Sequence, residues 1–101
     1  MANLPYAKNL IFYVFAGSRG GDNRIRIVDS LQNSPKNTNQ LATELGLNYR
    51  AIQHHIEVLE KNNLISKVGD KYGANYFPSV FLESNIETYN EITKKSRKDK
   101  A

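Results

Sequence analysis

The sequence of 101 residues contains no cysteine. It therefore has no disulfide and no thiolate metal site, and it suits a reducing compartment. Its longest apolar run, Leu10–Ala16, is far shorter than the ~20 residues that a membrane-spanning helix needs. The residues around this run also lack the basic start and the small-residue cleavage pattern of a signal peptide. We therefore expect a soluble cytoplasmic protein.

The net charge of +4 is concentrated at the end of the chain. Residues 1–93 carry nine basic and nine acidic side chains, whereas residues 94–101 carry five basic and one acidic. A strongly basic surface favours nucleic acid as a partner, but the body of this protein is neutral, so such a surface must be a local patch. We expect residues 1–93 to form one domain and residues 94–101 a basic, disordered tail.

The segment Thr38–Leu64 has the pattern of two short helices joined by a tight turn. The first helix has an apolar stripe, which consists of Leu41, Ala42 and Leu45. Gly46 follows directly, and glycine commonly ends a helix in the left-handed conformation. Asn48 is a favourable N-cap for a second helix over residues 49–62. The segment therefore predicts a helix-turn-helix.

The second helix of this motif has an apolar side and a polar side. The apolar side consists of Ile52, Ile56 and Leu59. The polar side consists of Tyr49, Arg50, Gln53, His54 and Glu57. In a helix-turn-helix the N-terminal residues of the second helix meet base edges in the major groove of DNA. The polar side is therefore the predicted contact surface.

Two further elements precede the motif. Leu4–Ala16 is apolar almost all round, so as a helix it would be buried on more than one side, and in so short a chain this points to a partner subunit. A strand is the alternative for Leu10–Phe15, where aromatic and β-branched residues dominate. After a flexible break at Gly17–Gly21, residues 23–32 are predicted to form a helix capped by Asp22 or Asn23. Its expected inward residues are Ile27, Val28 and Leu31, while the orientation of Ile25 is left open.

A hairpin and a last helix are predicted after the motif. Leu64–Val68 and Ala74–Phe77 have the composition of strands, and Gly69–Gly73 between them supplies turn residues. Pro78 and Ser79 then open an amphipathic helix to about Thr93. The predicted fold class is mainly α with a small β-hairpin: a winged helix-turn-helix with additional N- and C-terminal helices.

Residues 24–78 resemble the winged-helix domain of the ArsR-like transcriptional regulators. The resemblance rests on Ile27–Leu31, on Asn39–Leu47, on Ala51–Leu59, which nearly matches the family's "v-x-x-H-L-x-x-L" core, and on Asn63–Ile65 at the start of the wing. Residues 16–24 and 69–73 are similar to an archaeal subgroup. The resemblance implies a DNA-binding regulator, usually a homodimer that pairs through its N- and C-terminal helices.

The resemblance does not extend to metal sensing. Metal-sensing members carry cysteines in the first helix of the motif, or acidic and histidine ligands in the terminal helix. Here the first helix has no cysteine and residues 79–101 have no histidine. His54 and His55 are adjacent, so they diverge by about 100° on a helix and cannot chelate one ion together. We expect no metal and no cofactor.

The candidate DNA contacts lie in the motif and in the wing. They are Thr38, Asn39, Asn48, Tyr49, Arg50, Gln53, His54, Lys67, Lys71 and Tyr72. Arg50 suits guanine or a phosphate, and the two lysines suit phosphates. Thr38 is alternatively only a helix cap, and the lysines are alternatively solubilising residues of an exposed hairpin. For His55, at the seam with the apolar side, we expect a packed, hydrogen-bonded structural role.

The candidate dimer contacts lie on the terminal helices. They are Tyr6, Leu10, Tyr13, Val14, Leu82, Ile86 and Tyr89. An enzyme is not expected, because Gly17–Gly21 lacks the Gly-Lys-Ser/Thr ending of a phosphate loop and no catalytic triad can assemble around two adjacent histidines.

The sequence thus predicts a homodimeric, sequence-specific regulator that binds double-stranded DNA. The helix 49–62 would lie in the major groove and the wing 64–77 on the flanking backbone, over an inverted-repeat operator with half-sites about one helical turn apart. The alternative is a winged helix used only for protein–protein assembly, for which the neutral body would be the relevant signal.

Overall fold

The order of helices and strands is that of a winged helix-turn-helix. The computed structural model describes residues 5–70 and 73–99. Its elements are α1 (Pro5–Phe15), α2 (Gly21–Asn33), α3 (Thr38–Leu45), α4 (Tyr49–Lys61), β1 (Ile65–Val68), β2 (Asn75–Pro78), α5 (Val80–Ser84) and α6 (Ile86–Asp99). The strands pair antiparallel, with Ile65 opposite Pro78 and Lys67 opposite Tyr76. The predicted fold class is confirmed. Within the described ranges no helix has the length and apolar character needed to cross a bilayer.

One hydrophobic core joins all six helices. Its fully buried members include Ile11, Phe15, Ile27, Leu31, Leu41, Ile52, Leu59, Leu64, Leu82 and Tyr89. Burying an aliphatic or aromatic side chain of this size contributes roughly 1.5–3 kcal/mol. The inward residues expected on α2 and α4 are all buried, and Ile25, whose orientation was open, is buried as well.

The first element is a helix, which settles the choice between helix and strand. Pro5 occupies its first position, where the missing backbone N–H costs nothing. Ala7, Ile11, Val14 and Phe15 are buried on one side. The other sides carry exposed aromatic residues: Tyr6 is 59%, Phe12 54% and Tyr13 62% exposed. A single chain therefore leaves about half of this apolar helix uncovered.

Helix α2 begins earlier than we expected. Its N-cap is Gly20, at φ 90°, rather than Asp22 or Asn23, and no side chain caps the helix. The α1–α2 turn brings Gly21 so close to α1 that a Cβ there would lie 2.5 Å from the carbonyl oxygen of Phe15. Because they have no Cβ, Gly20 and Gly21 permit a tight connection between α1 and α2.

The predicted last helix is divided in two. Ser79 caps α5 by accepting a hydrogen bond from the Leu82 N–H, at 3.0 Å. At Asn85 the backbone leaves helical geometry (φ −118°, ψ 25°), and α6 follows. The side-chain amide of Asn85 donates to the Phe81 carbonyl, which stabilises the break. One helix over 79–93 is therefore corrected to two.

Helix α6 extends to Asp99, past the predicted end at Thr93. The Arg97 guanidinium donates to both carboxylate oxygens of Asp29 on α2, at 2.9 and 3.3 Å, and lies 5.5 Å from the centre of the Tyr89 ring. These contacts join α6 to α2. Regular structure therefore continues through residues 94–99, part of the segment that we expected to be disordered.

Candidate nucleic-acid interface

Helix α3 is fixed at both ends by its own sequence. Asn37, not Thr38, is its N-cap: Asn37 Oδ1 accepts from the Gln40 N–H and the Asn37 N–H donates to Gln40 Oε1, both at 2.8 Å. This reciprocal pair is a capping box. At the other end Gly46 takes the predicted left-handed conformation, φ 68°. Thr38 is the first helical residue and is half-buried, so the alternative that it is the cap is wrong.

Helix α4 begins at the predicted cap. Asn48 Oδ1 accepts a hydrogen bond of 2.7 Å from the Ala51 N–H. A carboxamide held in this way stabilises the helix start, so Asn48 Oδ1 is already engaged before any ligand arrives. The apolar side of α4 is buried against the core, which turns the opposite side outward.

The outward side of α4 carries the residues that the sequence predicted. Tyr49, Arg50, Gln53, His54 and Glu57 are all exposed. Among the described residues, Arg50, Gln53 and Glu57 make no side-chain hydrogen bond or ion pair. Their donors and acceptors are therefore available to a ligand.

The charge on α4 is balanced. Arg50 and Lys61 are offset by Glu57 and Glu60, and Glu60 forms an ion pair of 3.6 Å with Lys67 on β1. Lys67 is exposed, but Glu60 of the helix already neutralises part of its charge. Lys71 and Tyr72, the other two wing candidates, lie outside the described residues.

Tyr76 is a residue of this surface that the sequence reasoning missed. It lies on β2 opposite Lys67 and is half-buried. Burial raises the pKa of its phenol, and the nearby carboxylates of Glu60 and Glu57 raise it further. The phenol therefore stays protonated, at the junction of α4 and the wing. The alternation of the β2 strand was the available signal, since it places Tyr76 and Lys67 on one face of the hairpin.

Lys36 connects the wing to α2 and α3. Its backbone pairs with Tyr76 through two hydrogen bonds of 2.8 and 3.2 Å. Its ammonium group donates to the Ser30 carbonyl at 2.8 Å and lies 3.6 Å from Glu44. The Ser30 hydroxyl donates to Glu44, which is the main reason that the pKa of this carboxyl is lowered, and Lys36 adds to the effect.

Arg24 joins the α1–α2 turn to α4, and it too was missed. It is 4% exposed. Its guanidinium donates to the carbonyl oxygens of Val14 (3.0 Å) and Arg19 (3.1 Å) and to the Ser18 hydroxyl (2.8 Å). Its remaining partner is His55 Nδ1, at 3.2 Å. An arginine near the start of a helix is normally exposed, so no feature of the sequence indicated that Arg24 would be buried.

His55 has the packed role that we expected. His55 is 8% exposed, and its Nδ1 atom is hydrogen-bonded to the guanidinium of Arg24. Burial lowers the pKa of His55, and the charges of Arg24 and His54 lower it further. His54 is exposed beside it, with the two ring centres 5.6 Å apart.

The candidate dimer residues divide by burial. Val14, Leu82 and Tyr89 are 0% exposed in the single chain, so they have no surface to offer a partner and their assignment is corrected to the core. Leu10 and Ile86 are partly buried at its edge. Tyr6 and Tyr13 are exposed, and Tyr6 stacks on Phe81 of α5 with ring centres 6.0 Å apart.

A metal centre is not formed by the described residues. Within residues 5–70 and 73–99, no three His, Asp or Glu side chains are grouped so that they could hold an ion.

Solved structures with this fold include several regulators. HlyU from Vibrio cholerae, in its reduced form, matches with a TM-score of 0.64 and 18% identity over 91% of this chain and 88% of its own. NolR from Sinorhizobium fredii matches with a TM-score of 0.63 and 24% identity over 91% and 95% of the two chains. A fragment from Mycobacterium bovis matches with a TM-score of 0.59 and 14% identity over 99% and 91%. It is described as a homodimeric winged helix-turn-helix DNA-binding domain of a possible ArsR-family transcriptional regulator. These likenesses establish the fold.

The middle of the sequence also resembles a known family. No curated protein matched the chain. Residues 21–67, from the start of α2 to β1, match the profile of the family described as "Bacterial regulatory protein, arsR family". The named relatives are bacterial, and nothing in these comparisons supports the predicted archaeal subgroup. The part of the chain that holds α2, α3 and α4 is therefore similar to the helix-turn-helix of the ArsR-family regulators.

Proposed function

We propose that the protein is a homodimer that binds a specific double-stranded DNA sequence and regulates transcription from it, in the cytoplasm. The observation that carries the proposal is the outward side of α4, where Arg50, Gln53 and Glu57 are exposed and free of partners among the described residues. Arg50 lies in the first turn of the helix, at the end that reaches base edges in this motif.

The proposed binding mode assigns different tasks to α4 and the wing. Arg50 would donate in bidentate fashion to guanine, and Gln53 would pair with adenine one turn further along. Tyr49, His54 and the Thr38–Asn39 start of α3 would lie against the adjacent phosphates. Lys67 and the junction residue Tyr76 would meet the flanking backbone, with Lys71 and Tyr72 as further candidates on the wing. Phosphate contacts of this kind set position, and the base contacts set sequence preference.

The proposed dimer uses the exposed side of α1. Tyr6 and Tyr13 are seven residues apart and so lie on one side of the helix, with Leu10 between them. The Mycobacterium bovis fragment with the same fold is described as homodimeric, which supports a pairing here. A two-fold dimer would present two α4 helices to successive turns of an inverted-repeat operator, with half-site centres about 34–36 Å apart.

Protein–protein assembly without DNA is the second candidate. It is favoured by the balanced charge of α4 and by the ion pair that partly neutralises Lys67. In that reading the same outward residues would contact another protein. The two candidates differ in their response to salt, because each phosphate contact contributes about 0.9 to the slope of log affinity against log salt.

Selection of bound duplexes from a random pool tests the proposal directly. We expect enrichment of an inverted repeat at low salt, and Arg50→Ala should lower affinity for it by about tenfold or more, the cost of one lost bidentate base contact. Lys61→Ala is the matched control, since Lys61 is an exposed cation in the last turn of the same helix. Absence of any enriched sequence would reject the regulator and favour assembly, and equal losses of affinity in the two variants would reject Arg50 as a base contact.

The dimer needs its own test, because removing α1 would also remove Ile11, Val14 and Phe15 from the core. Tyr13→Arg adds a charge to the exposed side of α1 and should convert the dimer to monomer in sedimentation equilibrium. Val68→Arg, at a residue 62% exposed on the wing, is the control and should leave the dimer intact. A monomeric wild-type chain would contradict the proposed pairing.

A further inference from the structure

The contact between Arg24 and His55 restricts the charge that His55 can carry. A guanidinium has donors only, so His55 Nδ1 must accept the hydrogen bond of 3.2 Å. The ring therefore keeps its proton on Nε2 and is neutral. A second proton on Nδ1 would remove the acceptor and place two cations next to each other in a buried place.

Among the described residues, no partner of Arg24 compensates such a second charge. The described partners of Arg24 are two carbonyl oxygens, a hydroxyl and the ring of His55, with no carboxylate among them. The groups that act on His55 are Arg24 from α2 and His54 from α4, and both are cationic when charged. In the α1–α2 turn, Gly20 lies beside the His55 ring, and the carbonyl oxygen of Arg19 accepts a hydrogen bond from Arg24. On α1, Tyr13 acts on Arg24.

The four hydrogen bonds of Arg24 are divided unequally between the elements they join. Three of them go to Val14, Ser18 and Arg19, so they hold the guanidinium to the end of α1 and to the α1–α2 turn. The fourth holds α4 through His55. If Arg24 and His55 repel each other, three hydrogen bonds keep Arg24 in place, and the contact that opens is the one to α4.

We propose that Arg24 is a positioning residue for the DNA-reading helix α4, that it acts only while His55 is neutral, and that protonation of His55 therefore weakens DNA binding at mildly acidic pH. This inference rests on the proposed function, and it adds a form of regulation to it. His55 is suited to the task because histidine is the side chain whose charge changes between pH 5 and 8.

The neighbouring histidine supplies a matched control for the test. The chain has two histidines, and His54 is exposed on the outward side of α4. Its side chain makes no hydrogen bond with Arg24, so replacing His54 leaves the contact between Arg24 and His55 intact.

The first experiment measures duplex affinity by fluorescence anisotropy at pH 7.5, 6.5 and 5.5 and constant ionic strength, on the full chain. We expect the wild type to lose about tenfold or more in affinity between pH 7.5 and 5.5, the range of a typical coupling between two sites. His55→Asn keeps an acceptor near the position of Nδ1 and cannot be protonated. The duplex affinity of this variant should therefore not fall between pH 7.5 and 5.5. His54→Asn is the control and should keep the fall in affinity. A wild type and a His55→Asn variant with the same pH profile would overturn the proposal.

The second experiment needs no DNA and so separates the two proposals. In a titration of the wild-type chain by NMR, the amide signals of Ser18 and Gly20 should shift with the same midpoint as the His55 ring. The amide signal of Gly46 is the control. A Cβ on Gly46 would meet nothing within 4 Å, so this signal should not follow the titration of His55. If Ser18 and Gly20 ignore the titration of His55, the link is absent and the inference fails. If they follow it but no duplex is bound at any pH, the link stands and the proposed function fails.

Discussion

The carboxylate of Glu60 lies 3.6 Å from the ammonium group of Lys67, which ties the last turn of α4 to strand β1. The pair is partly exposed on both sides, so it is weak, on the order of 0–1 kcal/mol. Lys67 is also a candidate phosphate contact. Glu60 and a DNA phosphate would therefore compete for the same ammonium group.

Replacing Glu60 by glutamine should therefore strengthen DNA binding. Glu60→Gln releases Lys67 for a phosphate, and we expect duplex affinity to rise a few-fold and the salt slope to steepen by about one contact. Titration of a fluorescent duplex at several salt concentrations measures both. Glu57→Gln is the matched control, because Glu57 has no ion-pair partner in the described chain. In a Lys67→Ala background the gain from Glu60→Gln should vanish while that from Glu57→Gln should persist; persistence of both would contradict a shared lysine.

Two glycines at positive φ offer a matched pair of stability tests. Gly20 (φ 90°) and Gly46 (φ 68°) both adopt a conformation that costs an L-residue about 1 kcal/mol. A Cβ on Gly46 would meet nothing within 4 Å, whereas one on Gly20 would lie 2.9 Å from both Arg24 and His55. We expect Gly46→Ala to lower the free energy of unfolding by about 1 kcal/mol and Gly20→Ala to lower it clearly more, in urea titrations followed by circular dichroism. Equal losses would mean that the turn moves freely away from Arg24.

The hydroxyl of Tyr89 should contribute to stability. It donates to Asp29 Oδ1 at 2.9 Å inside the interface of α2 and α6, and burial raises the pKa of Tyr89 well above its usual range. Tyr89→Phe removes this donor without leaving a cavity, at an expected cost of about 1–2 kcal/mol in the free energy of unfolding. Tyr49→Phe, at a tyrosine that is 47% exposed, should cost less than about 0.5 kcal/mol. Thermal or urea unfolding of both variants would show the difference, and a Tyr89→Phe chain as stable as the wild type would mean that Asp29 is satisfied by Arg97 alone.

Stability should fall in acid in two separate ranges. The pKa of His55 is lower in the folded chain than in the unfolded chain, so between these two values the unfolded state binds more protons and stability rises with pH. This contribution is fully present above about pH 6.5 and is lost as the pH falls through the lowered value. The pKa of Glu44 is also lowered, but its loss begins only below about pH 4.5. Unfolding midpoints measured from pH 7.5 to 4 should show the first decline in the wild type and not in His55→Asn; a decline of the same size in both would place its origin elsewhere.

The parts of the fold that the sequence predicted are those fixed by local chemistry. Asn48 and Gly46 mark the turn of the motif because a carboxamide cap and a left-handed glycine have few alternatives. The periodicity of Ile52, Ile56 and Leu59 predicted the buried side of α4, and with it the exposed side opposite. The candidate DNA contacts of α4 lie on the side that this burial leaves open.

The parts that escaped prediction depend on long-range contacts. Arg24 is buried because the α1–α2 turn wraps its carbonyls around the guanidinium, 31 residues in sequence from its partner His55. Tyr76 joins the candidate surface only after the hairpin has paired it with Lys67 and with Lys36. The assignment of Val14, Leu82 and Tyr89 to a dimer failed for a related reason. An apolar residue on a terminal helix is equally suited to the protein's own core, and periodicity does not tell which of the two buries it.

The pairing of Lys36 with Tyr76 has a consequence for solubility. Because Lys36 occupies the outer side of β2 at this point, the strand is covered there on both sides. The open edge of the small sheet is then β1, which is four residues long and carries Lys67. Short edges that present a lysine are poor templates for the strands of another molecule. The wing can therefore project from the body of the protein without inviting edge-to-edge aggregation.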